Sequence, residues 1–170
     1  MPLINMPHFT EEEKQAIVKR VPEIKTRLLN NLVYFDQYPN GPVLKVGDLY
    51  EGIWLEHNQD NFFLATYDPQ AAWRSQDFFI KYQREDGLIP YKFPVHTSDS
   101  NCLSFSQIQS VWSPTRCALE IALKVGRPES DLEKIYQWGS NYDKWFVNYR
   151  NTLGTNLVEM FSEFDTGHDN

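Results

Sequence analysis

Helix-opening signals divide this chain, and the stretches between the helices constrain its fold more than the helices do. Thr10-Glu11-Glu12-Glu13 is a capping box, in which the Thr10 hydroxyl takes the Glu13 amide and the Glu13 carboxylate reaches back. Ile17, Val18, Val21, Ile24, Leu28, Leu29 and Leu32 follow at helical spacing, predicting a helix through Leu32 with a kink or break at Pro22. Asp68-Pro69 supplies an N-cap and a proline suited to the first helical position. Ala71, Ala72, Ser75, Phe78, Phe79 and Tyr82 then share a face, so this helix should end near Gln83. A helix is predicted over Ser106–Val125, with Ala118, Ile121 and Ala122 inward, Pro114 as a kink and Gly126 as its stop. Ser130-Asp131-Leu132-Glu133 is a second capping box, opening a helix through Ile135, Trp138, Tyr142, Trp145, Phe146 and Tyr149.

Helices that only bury one another are joined by about 2–8 residues. The connections here are longer and mix polar with aromatic residues. Phe35–Gly52 holds the turn formers Pro39-Asn40-Gly41-Pro42 and at most a small hairpin around Val43–Val46. Trp54–Phe63 reads as a helix entry, and Gln83–Pro90 as a turn whose Gly87 takes positive φ and whose Pro90 forbids a helix. Tyr91–Ser104 is an irregular loop, and Glu163–Asn170 crowds carboxylates and an imidazole around a glycine. An all-α architecture with functional loops at one end is expected.

Five Trp, nine Tyr and eleven Phe make an aromatic share of 15%, more than one core of this size needs. Some rings should therefore line a surface for a flat, partly apolar ligand, such as a sugar or a base. A net charge of −7 excludes the basic face that phosphate binding requires, so no nucleic-acid partner is expected. No run of eighteen apolar residues occurs, and Met1-Pro2-Leu3-Ile4-Asn5 lacks a basic stretch followed by an apolar one. No membrane partner and a cytoplasmic location follow as expectations. Cys102 and Cys117 read as two thiols in a reducing compartment, Cys117 packed inside, while His57, His96 and His168 are too scattered for a metal site. Neither a metal nor a cofactor is expected.

Four motifs then become recognisable together: Gly52-Ile53-Trp54 through Asp60-Asn61-Phe62-Phe63, Gln83-Arg84-Glu85-Asp86-Gly87-Leu88-Ile89-Pro90, Ser106-Gln107 with Val111-Trp112, and Thr166-Gly167-His168-Asp169-Asn170. In content and order the chain resembles the six-hairpin glycoside hydrolases of the family 63 kind, including mannosylglycerate hydrolase-like and trehalase-like enzymes. That family opens its first site loop with Trp-Asp, where Gln59-Asp60 stands here. Its Gln-x-x-Asp-Gly-x-x-Pro turn is matched by Gln83, Asp86, Gly87 and Pro90. Its Ser-Gln-Pro-Pro-x-Trp element is similar to Ser106–Trp112, without the two prolines and with the Trp one place later.

The resemblance implies a partial (α/α)6 toroid of antiparallel helix hairpins, and inverting cleavage of an α-glucoside or α-mannoside. Asp169 would be the general acid. Burial beside aromatic rings would hold its proton, and Asp165 could add a like charge with the same effect. Asp60 is a sugar-hydroxyl acceptor or an N-cap, and Asp86 joins it through the turn motif. Gln83 and Gln107 can give and take hydrogen bonds from hydroxyls, or lie idle at helix ends. Trp54 and Trp112 stack on a sugar or pack the core, and His168 orients a carboxylate or substrate. No glutamate here matches the family's base. Residues 1–170 are thus expected to be the N-terminal portion of a single catalytic domain whose C-terminal half is absent, inactive alone and self-associating through an open edge. The alternative is a non-catalytic helical sugar-binding or interaction domain.

Overall fold

The computed structural model describes residues 9–35, 38–47, 52–93, 103–105, 108, 113–161 and 165. It divides into two compact units, Met1–Asn30 and Asn31–Asn170.

The first unit is one helix, α1 (Glu11–Asn30). The capping box forms: Thr10 N donates to Glu13 Oε2 at 2.7 Å and Glu13 N to Thr10 Oγ1 at 3.2 Å. Lys14–Glu11 and Arg27–Glu23 pairs at 2.6 and 2.7 Å line the helix at the spacing of adjacent turns. Pro22 does not break it, and the Thr26 hydroxyl donates to the Pro22 carbonyl at 2.9 Å. No residue of α1 is buried.

The second unit corrects the all-α expectation. Among the described residues it holds two antiparallel strand pairs as well as helices, so it is not a toroid of helix hairpins. Strand β1 (Leu32–Phe35) pairs with β2 (Tyr38–Leu44), Leu32 facing Leu44 and Val33 facing Val43. The helical spacing runs on through Leu32, yet the chain leaves the helix at Asn30. From there Leu32-Val33-Tyr34-Phe35 is a β-branched and aromatic run that fits a half-buried pleated surface. Strand β3 (Ile53–Trp54) pairs with β4 (Lys92–Phe93), and Ser104 bridges to Lys92 from the other side.

A 3-10 turn (Glu56–Asp60) runs into the short helix α2 (Asn61–Leu64), followed by α3 (Pro69–Lys81), α4 (Pro114–Lys124) and α5 (Glu129–Tyr149). Asp68 caps α3 as its sequence predicts, accepting from Ala71 N at 2.8 Å. Helix α4 starts at Pro114 rather than near Ser106, because Ser113 accepts from Arg116 N at 3.3 Å and Pro114 sits at the first position, where no donor is needed. It ends in a Schellman turn, with Gly126 at φ +70° and Arg127 N donating to Ala122 O at 2.9 Å. The box at Ser130 does not form, since α5 is already helical from Glu129.

The β1–β2 hairpin is fastened to α3 by polar bonds at its edge. Leu44 N donates to Ser75 Oγ at 3.0 Å, Arg74 Nε to Pro42 O at 3.0 Å, and the Tyr38 hydroxyl to Asp77 Oδ2 at 2.8 Å. Beneath lies an aromatic core. Phe93 meets Phe78 and Phe35 edge-on at centroid distances of 5.1 and 5.3 Å, and Tyr38 meets Phe78 at 5.5 Å. Phe78, Phe79, Phe93 and Trp138 are all inside this core, each worth about 1.5–3 kcal/mol of transfer out of water for an ordinary large apolar side chain.

Candidate functional site

Residues of the first two motifs lie near one another: Trp54 stands beside the end of the Gln83–Pro90 turn, and that turn packs on α5 at Trp138 and Asn141. Trp54 lies in β3, and the next residue, Leu55, donates its N–H to Tyr91 O at 2.8 Å, which joins the first motif to the end of the Gln83–Pro90 turn. The Trp54 ring is not bare. Lys92 Nζ stands 4.7 Å from its centroid, and Tyr91 packs against it at 5.6 Å with the planes at 69°. A sugar stacked on Trp54 would share the ring with a cation already placed there.

Asp60 closes the 3-10 turn and precedes α2, half-exposed, and its side chain makes no cap bond to that helix. The N-cap reading of Asp60 therefore has no support in the geometry. On either side of Asp60 in the chain, Asn58 and Asn61 join an amide network that the sequence reading passed over. Asn58 Nδ2 donates to Gln76 Oε1 at 2.6 Å while Gln76 Nε2 donates back to Asn58 Oδ1 at 2.8 Å. Asn61 Nδ2 donates to Asn58 O and Oδ1, both at 3.0 Å. These amides are 1%, 0% and 2% exposed for Asn58, Gln76 and Asn61, so each bond is made out of water, where leaving it unmade is costly. The Asn61 Oδ1 is buried with no hydrogen-bond partner among the described residues. Cys117 Sγ donates to Asn58 O at 3.4 Å. Burial, with the charges of Glu120 and Asp60 behind it, pushes the Cys117 thiol up to about 12, so it stays protonated.

In the Gln83–Pro90 turn the expected ligands are committed to the protein itself. Gln83 Nε2 donates to Gly87 O at 2.7 Å and to Trp138 O at 2.9 Å, which uses both its protons to tie the turn to α5. Asp86 is paired with Arg84, and accepts from Leu88 N at 3.2 Å. The Arg84 bond holds the Asp86 carboxyl below its ordinary value despite partial burial. Gly87 takes φ +101°, as its sequence context predicts, and comes so close to α5 that a Cβ there would lie 2.1 Å from Asn141 O. Arg84 in turn lies over the Phe105 ring at 5.2 Å.

The last knot is at Asp165. Its Oδ1 accepts from Ile108 N at 3.2 Å, and its Oδ2 from Arg150 Nη1 and Phe161 N, both at 2.9 Å. The Arg150 guanidinium thus sits on the Asp165 carboxylate. Gln107, Trp112, His168 and Asp169 lie outside the described residues, as do His96 and Cys102; nothing is described of the His57 side chain. On the inner face of α5, Trp138 Nε1 and the Tyr142 hydroxyl are buried donors one turn apart with no acceptor among the described residues. Burial raises the Tyr142 phenol well above its ordinary value, so it remains a donor at any working pH.

Beside the knot, Phe146, Val147, Arg150, Asn151, Leu157 and Val158 line a small open cavity of about 150 Å³. The wall beyond it is a braced loop, in which Glu159 accepts from Thr152 N, Thr152 Oγ1 and Leu153 N at 2.8, 2.7 and 2.7 Å. Among the described residues no group of three His, Cys, Asp or Glu could hold a metal ion, and no helix is long and apolar enough to cross a membrane. Comparison with family models, curated proteins and solved structures finds no match to this chain.

Proposed function

We propose that this chain carries the acid-bearing, sugar-recognising part of a glycoside hydrolase, acting by inversion on an α-glucoside or α-mannoside. One observation supports the reading above the others. Segments far apart in sequence that carry or border the motifs are joined pairwise: Leu55 to Tyr91, Arg84 to Phe105, and Ile108 to Asp165. An active site assembled from loops needs such convergence, because its groups must hold fixed separations while each belongs to a different stretch of chain.

In the proposed reaction the Asp169 carboxyl gives its proton to the glycosidic oxygen as the bond to the anomeric carbon breaks. A second, ionised carboxylate takes a proton from the water that attacks the opposite face, roughly 6.5–9.5 Å from the first. That second group is not among the residues carried over by the resemblance. Asp60, which follows the Asn58–Gln76 network in the chain and makes no cap bond to α2, is the carboxylate proposed to accept from sugar hydroxyls. Gln83 and Asp86 are proposed to shape the loop beside it.

Calorimetric titration of the chain with maltose, trehalose and α-1,2-mannobiose tests the sugar reading, with saturable binding of at least one expected and a loss of tenfold or more in Asp60→Ala. Absence of binding to all three sinks it. Turnover is tested in a longer polypeptide that contains this chain, where Asp169→Asn should abolish release of the β-anomer and leave binding intact. Binding without turnover in the unsubstituted protein would instead favour the non-catalytic sugar-binding domain.

A further inference from the structure

Pro22 and the β-branched Ile17, Val18, Val21 and Ile24 sit in the interior of α1, yet no residue of this helix is buried. An interior proline removes a helix hydrogen bond and crowds the preceding turn, and β-branched side chains lose rotamers in a helix. The capping box and the exposed ion pairs of α1 offset only part of that. A helix of this kind is held chiefly by packing one apolar face against something else.

Such a face runs along α1. Ile17, Val21, Ile24 and Leu28 follow one another at steps of four, three and four residues, the spacing of a coiled-coil seam. Ile17, Val21 and Ile24 are 50%, 40% and 56% exposed, and Pro22 falls outside the seam. Charge is divided along the same helix. Glu11, Glu12 and Glu13 fill the first turn, and Lys19, Arg20, Lys25 and Arg27 follow from mid-helix onward. Lys14 and Glu23 depart from that division, and both pair within the helix, with Glu11 and with Arg20 and Arg27. Two copies of α1 laid parallel would set glutamates against glutamates and bases against bases. Laid antiparallel, each acidic end meets a basic one, and the helix dipoles oppose as well.

We propose that α1 is a self-association helix, pairing antiparallel with α1 of a second copy of this chain, seam on seam, about a two-fold axis near Lys19. In that register Ile17 lies opposite Val21 of the second copy, and Lys14 opposite Ile24 of the second copy, its methylene stem along the seam and its ammonium outward. Glu13 then flanks Arg27 of the second copy, and symmetry makes the contact twice. Arg27 already holds Glu23 of its own helix at 2.7 Å, so the incoming Glu13 lengthens an existing ion pair. The two copies of Arg20 come near the axis, each with Glu23 at 3.5 Å beside it. A second copy is the fitting occupant because one helix supplies both the stripe and the charges that complement it. Twenty residues give a seam of only about 30 Å, so the association is reversible. It does not depend on the sugar reading.

Sedimentation equilibrium of the full chain tests the proposal, and should show a monomer–dimer equilibrium that follows mass action between about 1 μM and about 1 mM. Ile17→Glu with Ile24→Glu should raise the dissociation constant by about tenfold or more, with tryptophan fluorescence unchanged. Mixing reads the charge pairing. Arg27→Glu and Glu13→Lys should each dimerise about threefold or more weakly than the parent. An equal mixture of the two variants should recover the dimer, because every flanking pair between the unlike chains again joins opposite charges. Spin labels at Lys19→Cys or Glu12→Cys read the orientation, with Cys102→Ser and with Cys117 left buried. Labels at position 19 sit level across the axis, whereas those at position 12 are offset along it by about 21 Å, so their separation should be the longer. A chain that stays monomeric throughout the range overturns the proposal and leaves the stripe to another part of the chain or to a different protein. A dimer that survives Ile17→Glu with Ile24→Glu, a mixture no tighter than its components, or equal label separations overturns it as well.

Discussion

Replacing Gly87 by alanine separates two costs that are usually confounded. Gly87 has φ +101°, where an L side chain is strained, and its added Cβ would meet Asn141 O at 2.1 Å and Asn141 C at 2.7 Å. Those two atoms are backbone of α5, so they cannot swing aside as a flexible side chain would. The left-handed conformation costs roughly 1–2 kcal/mol for a residue with a Cβ, and forcing an extra methyl into a packed contact about 1–3 kcal/mol more. Gly126 provides the internal reference: it has φ +70° and nothing within 4 Å of its added Cβ, so Gly126→Ala carries only the first cost. Both substitutions lose the same unfolded-state freedom of glycine, and that effect cancels between them. Urea unfolding followed by tryptophan fluorescence is the assay, because Trp54, Trp73, Trp112, Trp138 and Trp145 all belong to the unit from Asn31 onward. With a slope of about 1–3 kcal/mol per molar urea, Gly87→Ala should unfold roughly 1 M below Gly126→Ala. Coincident midpoints would refute the close approach of the turn to α5, and with it the placement of Gln83 and Asp86.

Acid should destabilise the same unit through two carboxylates. At Asp131 burial works to raise the carboxyl, and the Lys134 and Arg127 bonds overcome it, leaving it below its ordinary 3.8; at Asp86 the Arg84 bond does the same. A group whose folded pKa is depressed stabilises above its unfolded value and loses that contribution as pH falls through the folded one. Unfolding midpoints should therefore drop below about pH 3.8, and Asp86→Asn with Asp131→Asn should flatten the drop; a profile unchanged in the double variant would count against both pairs. Cys117 should resist alkylation at pH 8 in native buffer and react only in denaturant, read by mass spectrometry of its peptide, since it is buried and its thiol is raised to about 12. Glu159→Ala should open the braced loop, seen as faster amide exchange at Thr152 and Leu153 with no change at Ala71, whose donor is held by Asp68.

Local signals were readable and long-range partners were not. The Thr10 and Asp68 caps, the Gly126 stop and the positive φ of Gly87 each depend on a few neighbouring residues, and each appears where the chain predicts it. Strand β1 escaped because Leu32 extends the helical period while its strand partner, Leu44, lies across the hairpin. Pro114 is equally legible as a kink or as a first helical residue, and only the Ser113 bond to Arg116 N decides. In the candidate site the residue types at Gln83 and Asp86 were visible, but Gln83 bonds Trp138 at a separation of 55 residues, which no spacing announces. The pairing of Asp165 with Arg150 was equally hidden, because the two lie fifteen residues apart across the braced loop.

The reciprocal bond between Asn58 and Gln76 has a consequence for what substitutions this chain can accept. Two primary amides face each other, each giving one proton and taking one. Such a pair works as a code with two matched symbols: changing either one alone to a carboxylate, an amine or a hydrocarbon leaves the other with a group it cannot answer. Acceptable changes must arrive together or keep the give-and-take, as glutamine for asparagine would if the longer arm fitted. The buried Asn58–Gln76 pair should thus tolerate little single-step drift, while the exposed faces of α4 and α5 around Leu123 and Tyr136 stay free to vary.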